Sequence, residues 1–533
     1  MFVRSRFPEV SIPDCSLTSF VFRHADRLAD KRAIVDVTTG RSLTYGDLVQ
    51  GARSVGAALW QRGVNKGDVI AIFAPSVPEF AIAFYGATSV GVVPTTINPL
   101  ATAGELAAQL ADSGASILFT TPDLLGVAQD AARRTPKIGE IVVFGEASGA
   151  TAFAAFLATD GMPPPVAIDP AHDLAVLPYS SGTTGLPKGV MLTHRNLVAN
   201  VAQVERPLAW GEEDVVLNVP PFFHIYGILV LDLVLAAGAT LVSISTFAFP
   251  DFLRAIEDHR VTRAMVVPPI VLALANSPIV ADYDLSSLRW LCSGAAPLAE
   301  DVLVRARQQI DRAKRSGGSC ACVRGYGLTE AAPVTHVQPF GVPQPAGTVG
   351  PAVANTECRI VDPETGADLW ANEEGELWVR GPQVMRGYLN RPDATAQTLT
   401  PDGWLRTGDL CRMDSAGNLA VVDRLKELIK YKGYQVAPAE LEAILLGHPA
   451  VADAAVIPSP HEEAGEVPKA FVVLKGEALV SSEELMAYVA AQVAPYKRVR
   501  RLELIDQVPK SASGKILRRV LVERERAATL APA

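Results

Sequence analysis

At 533 residues the chain exceeds the ~250–300 at which one hydrophobic core stops growing, so more than one domain is expected. A composition of 49% hydrophobic and 20% charged residues excludes collagen-like, low-complexity and disordered classes. The net charge of −9 argues against broad binding to nucleic acid or an anionic membrane. The six cysteines are dispersed except for Cys320 and Cys322, which suits reduced thiols in a cytoplasmic protein better than a disulfide or metal framework.

In chain order, residues 1–8 lack the apolar core of a secretory signal. Val69–Phe73, 116–120 and 140–144 read as strands, with a helix over 76–90 and Ala-rich helices between the later strands. An Ala/Pro-rich link over 150–167 is expected at the surface, and strands return at 240–245, 263–267 and 288–293. The most apolar stretch, 225–244, carries Asp232 and two glycines. It reads as a buried helix, turn and strand, so no stable membrane insertion is expected. Strands alternating with helices predict parallel, helix-covered sheets.

After about residue 345 the texture changes to strands bounded by turns, at 375–381 and 419–423. From Arg424 onward it becomes α+β, with a helix from Pro438 to Leu445, strands at 451–458 and 470–474, and a helix over 482–492. The expected fold is α/β. A large N-terminal domain (1–422) of helix-covered sheets carries a β-rich subdomain, and a small, mobile α+β domain (423–533) follows. The last residues, 529–533, are not a Ser-Lys-Leu peroxisomal address.

Residues 179–190 read YSSGTTGLPKGV. The hydroxyls of Ser180, Ser181, Thr183 and Thr184, the backbone N–H groups freed by Gly182 and Gly185, and the charge of Lys188 suit a polyphosphate. The spacing is not that of a Walker A loop, because Gly189 follows the lysine where Ser or Thr is required. Composition alone would equally describe a solvated turn.

The string is more specific than its composition. Further motifs follow in order: PFFHIYG (221–227), YGLTE (326–330), GWLRTGD (403–409), DRLKELIKYKGYQ (423–435) and PKSASGKILRR (509–519). With these the chain resembles the adenylate-forming superfamily of acyl- and aryl-CoA synthetases, luciferases and peptide-synthetase adenylation domains, over nearly its whole length. The likeness is greatest to the 4-coumarate–CoA ligase group and its bacterial relatives.

The resemblance implies a carboxylate–CoA ligase using ATP, Mg²⁺ and coenzyme A. A carboxylic acid attacks the α-phosphorus of ATP, giving acyl-AMP and pyrophosphate, and coenzyme A then gives the thioester and AMP. It assigns Mg²⁺ to Glu330, with Thr183 a weaker ligand, phosphate contact to Thr329, and the adenine to Tyr326 and Gly327. The ribose falls to Asp409, a further nucleotide contact to Arg424, and the adenylate to Gln435. Lys515 would serve the first half-reaction and Lys430 the second, with Lys432 and Gly433 beside the pantetheine arm and Asp423 at a hinge. His224 would close the path to the carboxylate. A basic cluster at Tyr496, Lys497, Arg498, Arg500 and Arg501 reads equally as a contact for the phosphates of coenzyme A or as a solvated face.

Positions matching the acyl pocket are Tyr226, Val230, Cys292, Ala295, Gly325, Gly327, Pro333 and Val334. Glycines at the floor leave room for a flat ring, and Tyr226 offers a hydrogen bond to a phenolic hydroxyl, so a hydroxycinnamate is the first candidate. Arg324 stands where the plant pattern has Gln, Cys292 replaces a larger Met, and Val230 replaces a small polar residue, which keeps other aryl and medium- or long-chain acids open. The intact loop around Lys430 favours thioester formation over luciferase or acyl-AMP ligase chemistry. A non-catalytic acyl or nucleotide sensor would be expected to lose Lys188, Glu330 or Lys515, and all are present.

Overall fold

The computed structural model describes residues 2–158, 163, 165–180, 187–431, 434–461, 464–476, 478–511 and 514–530, with backbone alone for 527–530. Val69–Phe73, expected as a strand from its β-branched run, lies inside a five-stranded sheet in the order Val93–Ile97, Val69–Phe73, Ala115–Thr120, Glu140–Val143, Thr151–Ala152, parallel throughout. A second sheet has eight strands. Its interior of Ala321–Gly327, Trp290–Ser293, Arg263–Val266, Val215–Asn218, Thr240–Ser243 and Arg32–Asp36 is parallel, and antiparallel Val334–Val337 and Ser42–Thr44 close its edges. The expectation of helix-covered parallel sheets therefore holds for both.

The expected helix over 76–90 is shorter, Pro78–Ser89, because Val77 is extended and Pro78 takes the first helical turn. Ser76, left outside the helix, accepts a hydrogen bond from the Phe222 N–H and so anchors the 221–227 motif. Thr44, Thr102 and Thr193 each close a capping box on the helix that follows.

Ile225–Ala236 is a helix buried on every side, and Thr240–Ser243 follows it as a strand, as the sequence predicts. Inside it Asp232 is wholly buried; Oδ1 accepts from the Tyr85 hydroxyl at 2.7 Å and Oδ2 has no partner. Burial pushes this carboxyl from 3.8 up to about 8, so it is neutral in the folded chain at pH 7.

The β-rich unit is an antiparallel sheet in the order Val3–Arg4, Glu357–Val361, Glu374–Arg380, Leu405–Met413, Leu419–Arg424. The C-terminal sheet contains Tyr434–Val436, Ile429–Tyr431, Gly465–Leu474 and Val451–His461, with Arg501–Leu504 parallel to Gly465–Leu474. The two long strands exceed the expected 451–458 and 470–474. Pro458 and Pro460 lie in an edge strand, where a missing donor is tolerated. The expected final helix over 482–492 ends at Ala490, Ser482–Ala490.

No helix among the described residues is long and apolar enough to cross a membrane. The neutral Asp232 gives a test of the packing. Between about pH 4 and pH 8 the folded chain keeps this proton and the unfolded chain has lost it. Its contribution to stability is therefore full at acid pH and is lost as pH rises to about 8. Asp232→Asn keeps an acceptor for Tyr85 and is expected to flatten the fall of Tm between pH 5 and pH 8. An unchanged slope would contradict a neutral Asp232.

Candidate nucleotide and acid site

A cavity of about 1930 Å³ opens at the C-terminal ends of the eight-stranded sheet and continues between it, the β-rich sheet and the C-terminal unit. This is the general location for ligands in parallel sheets, where loops diverge from the strand ends. Ser180, His224, Tyr326, Gly327, Thr329, Glu330, Asp409, Arg424, Gln435 and Lys515 all line it, as do Tyr226, Val230, Cys292, Ala295, Gly325, Pro333 and Val334. Residues from segments up to 335 apart in sequence thus meet in one space. Lys188 is buried behind this wall, and Lys430 is exposed outside it. Ser181, Gly182, Thr183, Thr184, Gly185, Lys432 and Gly433 lie outside the described residues.

On one side, Asp409 and Arg424 face each other across neighbouring antiparallel strands, and their side chains pair at 3.2 Å. The Tyr326 hydroxyl donates to the other Asp409 oxygen at 2.6 Å. Burial pushes the Asp409 carboxyl up, and Arg424 and Tyr326 oppose that shift. A buried carboxylate with two donors is a rigid acceptor for vicinal hydroxyls.

Glu330 is buried at the turn after Ala321–Gly327. Its Oε1 accepts from the Ser180 hydroxyl at 2.7 Å and from the Tyr388 hydroxyl at 2.9 Å, and no described residue bonds Oε2. Among the described residues no cluster of three or more His, Cys, Asp or Glu could cage a metal. One hard carboxylate oxygen with no described partner, next to Ser180, fits Mg²⁺, which keeps its waters and is held mainly through substrate phosphates. When bound, the ion would neutralise phosphate charge and orient the polyphosphate.

Lys515 enters from the C-terminal unit on a turn at Gly514. There φ is +77°, and an added Cβ would stand 3.0 Å from Pro269. Burial, and then the positive charge of Arg424, push the Lys515 ammonium down to about 8; no described residue forms an ion pair with it. Burial and the Lys515 charge likewise hold the His224 imidazolium down to about 4. His224 is therefore neutral. Its Nδ1 accepts from the Tyr226 N–H at 3.2 Å, which leaves the ring proton on Nε2.

The apolar arm of the cavity lies between the Ile225–Ala236 helix and the strand Trp290–Ser293. The Tyr226 hydroxyl donates to the Cys292 carbonyl at 3.4 Å, and its oxygen keeps acceptor capacity. Gly294 allows the Tyr226 ring to lie against the main chain, because an added Cβ would be 3.1 Å from that ring. At Gly325 an added Cβ would reach ordinary contact with the Cys292 sulfur at 3.6 Å, so glycine leaves that space open. Leu233 and Trp290 line the far end. Arg324 does not supply a free charge, because it pairs with Glu300 and donates to the Leu298 carbonyl at 2.9 Å.

Three members of the basic cluster have partners within the C-terminal unit. Lys497 pairs with Glu440 at 2.7 Å, Arg501 bonds Ser459 at 2.6 Å, and Arg500 lies over the Tyr431 ring at 5.2 Å. Sequence reasoning missed Tyr388, Gly294 and Tyr179, whose hydroxyl donates to Asp112 at 2.8 Å beside the phosphate loop. Of these, Gly294 alone left a local signal, in the small-residue run 293–296.

A family model described as AMP-binding enzyme matches residues 21–389, and one for the AMP-binding enzyme C-terminal domain matches 440–515. A 4-coumarate–CoA ligase of Oryza sativa subsp. japonica is 44% identical over 532 residues, 97% of this chain and 96% of the relative. Among solved structures, the anthranilate CoA ligase AuaEII in complex with anthranoyl-AMP superposes with a TM-score of 0.87 at 26% identity, covering 98% of this chain and 99% of the other. MatB of Rhodopseudomonas palustris, 28% identical, superposes at 0.86 in its ATP-bound form and 0.75 in its apo form, each covering 97% of this chain and 100% of the other. The cleft, its unpaired lysine and these likenesses agree, and the chain belongs to the AMP-binding enzyme family, in its adenylate-forming acid–CoA ligase branch.

Proposed function

We propose that this cleft couples an aryl carboxylic acid, with a hydroxycinnamate as the preferred class, to coenzyme A. The enzyme is an AMP-forming acid–CoA ligase that uses ATP, Mg²⁺ and coenzyme A. The observation that carries the assignment of roles is the Lys515 ammonium, which forms an ion pair with no described residue and sits in the same cavity as Glu330, Asp409 and an apolar arm.

In the first half-reaction the acid carboxylate attacks the α-phosphorus and the bond to pyrophosphate breaks. Lys515 stabilises the charge that grows on the phosphoryl oxygens, more in the transition state than in the ground state. Asp409 accepts the ribose hydroxyls, Arg424 and Gln435 hold the nucleotide, and Tyr326 and Gly327 border the adenine. Thr329, with the loop from Ser180 to Lys188, holds the phosphates, and Glu330 holds the magnesium ion with Thr183 as a weaker partner. His224 closes the carboxylate end of the acid pocket. In the second half-reaction the thiol of coenzyme A attacks the acyl carbonyl and AMP leaves. Lys430, with Lys432 and Gly433, serves this step after the C-terminal domain (423–533) turns about Asp423 relative to residues 1–422. The exposed position of Lys430 and the higher TM-score to the ATP-bound than to the apo form of MatB support an arrangement poised for the first step.

The acid assignment rests on the space between Tyr226, Cys292 and Gly325, where the Tyr226 hydroxyl can accept a hydrogen bond. Its apolar far end gives a medium- or long-chain fatty acid the second claim.

Pyrophosphate and AMP release should both require an acid, and AMP release should also require coenzyme A. Lys515→Ala should cut pyrophosphate release by about 100-fold or more, as loss of a charge-stabilising group does. Lys430→Ala should leave that step and slow thioester formation; equal losses in both steps contradict the division.

The kcat/KM for adenylate formation should fall as pH rises through about 8, since the charged ammonium is lost above that value. Arg424→Gln removes the positive neighbour and should move this limb upward. A limb that stays in place sinks the assignment.

Across an acid panel, 4-hydroxycinnamate should exceed cinnamate in kcat/KM. Tyr226→Phe should erase that preference by roughly tenfold, the loss of about one hydrogen bond. A panel led by aliphatic acids overturns the aryl reading.

A further inference from the structure

Glu330 and Lys188 come from distant segments, yet one side chain touches both. Tyr388 lies in the two-residue strand Gly387–Tyr388, paired to Lys188–Thr193 with Val190 opposite Tyr388. Its hydroxyl donates to Glu330 Oε1 at 2.9 Å, and the Lys188 ammonium stands 4.9 Å from its ring centroid. The side chain is 5% exposed and lines the cavity. Its backbone is fixed as well. The Tyr388 N–H donates to Thr395 Oγ1 at 2.9 Å, Leu389 N–H to the Gly189 carbonyl at 2.8 Å, and Met385 N–H to the Glu330 carbonyl at 2.8 Å.

The chemistry of this arrangement is directional. Ser180 and Tyr388 both spend their protons on Oε1 of Glu330, one from each wall, so turning that carboxylate breaks two hydrogen bonds. Oε2 has no described partner and is the oxygen left for a hard cation, whose octahedral demands make ligand orientation decisive. On the ring face, the buried Lys188 ammonium finds the partial negative charge of the π system, which holds it without neutralising it.

We propose that Tyr388 is a positioning residue that aims Glu330 Oε2 at the divalent cation and holds Lys188 at the phosphates. It thereby ties the metal and phosphate parts of the nucleotide site to one side chain. This rests on the reading of Glu330 as the magnesium ligand.

The test separates the hydroxyl from the ring. Full-length wild type, Tyr388→Phe, Tyr388→Leu, Ser180→Ala and Glu330→Gln are titrated with Mg²⁺ in the presence of a non-hydrolysable ATP analogue, without acid or coenzyme A. The readouts are the rise in Tm and calorimetric affinity. Tyr388→Phe keeps the ring and should raise the Mg²⁺ concentration for half-maximal stabilisation about tenfold, with nucleotide affinity at saturating Mg²⁺ little changed. Ser180→Ala should shift the Mg²⁺ requirement in the same direction. Tyr388→Leu loses the ring too and should also weaken the nucleotide itself at saturating Mg²⁺. A Tyr388→Phe titration that overlays wild type, while Glu330→Gln is shifted, overturns the proposal. If Glu330→Gln also overlays wild type, the metal reading of Glu330 fails and takes the proposal with it. The Tm of each variant without ligand identifies any that fails to fold, and Tyr388→Phe, which retains the packed ring, then decides.

Discussion

The ammonium of Lys515 stands in a largely covered cleft with carboxylates nearby but none in contact. Burial and Arg424 act against its charge, while Asp409, Glu330 and Glu427 act for it from a distance. The balance disfavours the charged form by about 3 kcal/mol relative to water. A direct salt bridge would remove that penalty and would also leave the cation satisfied before any substrate arrived. Held short of a partner, it gains most from an anion whose charge appears where it points, and more still when that charge grows during the reaction. The same field keeps His224 neutral, so the carboxylate end of the acid pocket does not carry a second competing cation.

A cation held at this cost needs a stiff mount. Gly514 makes the turn, with Pro269 of the large domain packed beside it. Behind the turn Arg518 pairs with Glu427 at 2.8 Å and with Glu442 at 2.7 Å, and donates to the Val456 carbonyl. Ahead of it Lys510 pairs with Asp453 at 2.6 Å. Burial pushes the Glu442 carboxyl up to about 7 against the pull of Arg518, so this anchor is itself a coupled, desolvated pair. Breaking one partner there would leave a buried charge alone, which costs far more than the pair contributes. Asp423 joins the mount to the β-rich sheet, because it caps the helix Pro438–Leu446 by accepting from the Ala439 N–H at 2.9 Å.

What could be read from the chain follows from range. The strand Val69–Phe73 announces itself through its β-branched run and lies where expected, and the apolar stretch 225–244 folds as the expected buried helix, turn and strand. The residues of the ordered motifs also carry their own context, which is why Glu330, Asp409 and Lys515 could be named before their cavity was seen. Tyr388 and Tyr179 could not. A tyrosine in sequence looks like core packing, and their partners Glu330 and Asp112 lie 58 and 67 residues away. The cluster at Lys497, Arg500 and Arg501 is a second case where sequence does not show the partners. Read alone it fits a phosphate contact or a solvated face equally, because Glu440, Ser459 and Tyr431, which these side chains meet, come from other elements. The C-terminal hairpin ran past its expected ends because proline forbids a donor, not a strand, when the donor would have pointed to an open edge.

The placement of the two lysines carries the last step of the argument. Lys430 is exposed, and its own N–H is bonded to Glu466 at 2.8 Å, on the C-terminal sheet and away from the cavity that Lys515 lines. Bringing a second ammonium into the cleft beside Lys515, Arg424 and Lys188 would add repulsion where Lys515 already bears a desolvation cost. Under the roles proposed for them, the two would serve one adenylate in alternation rather than together. On the same proposal, the triphosphate would supply the negative charge that Lys515 faces in the first step. Once pyrophosphate has left, most of that charge has gone with it, and the hold on Lys515 weakens at the moment the second lysine is needed. On that proposal the electrostatics of the cleft would favour Lys515 before pyrophosphate leaves and Lys430 after it.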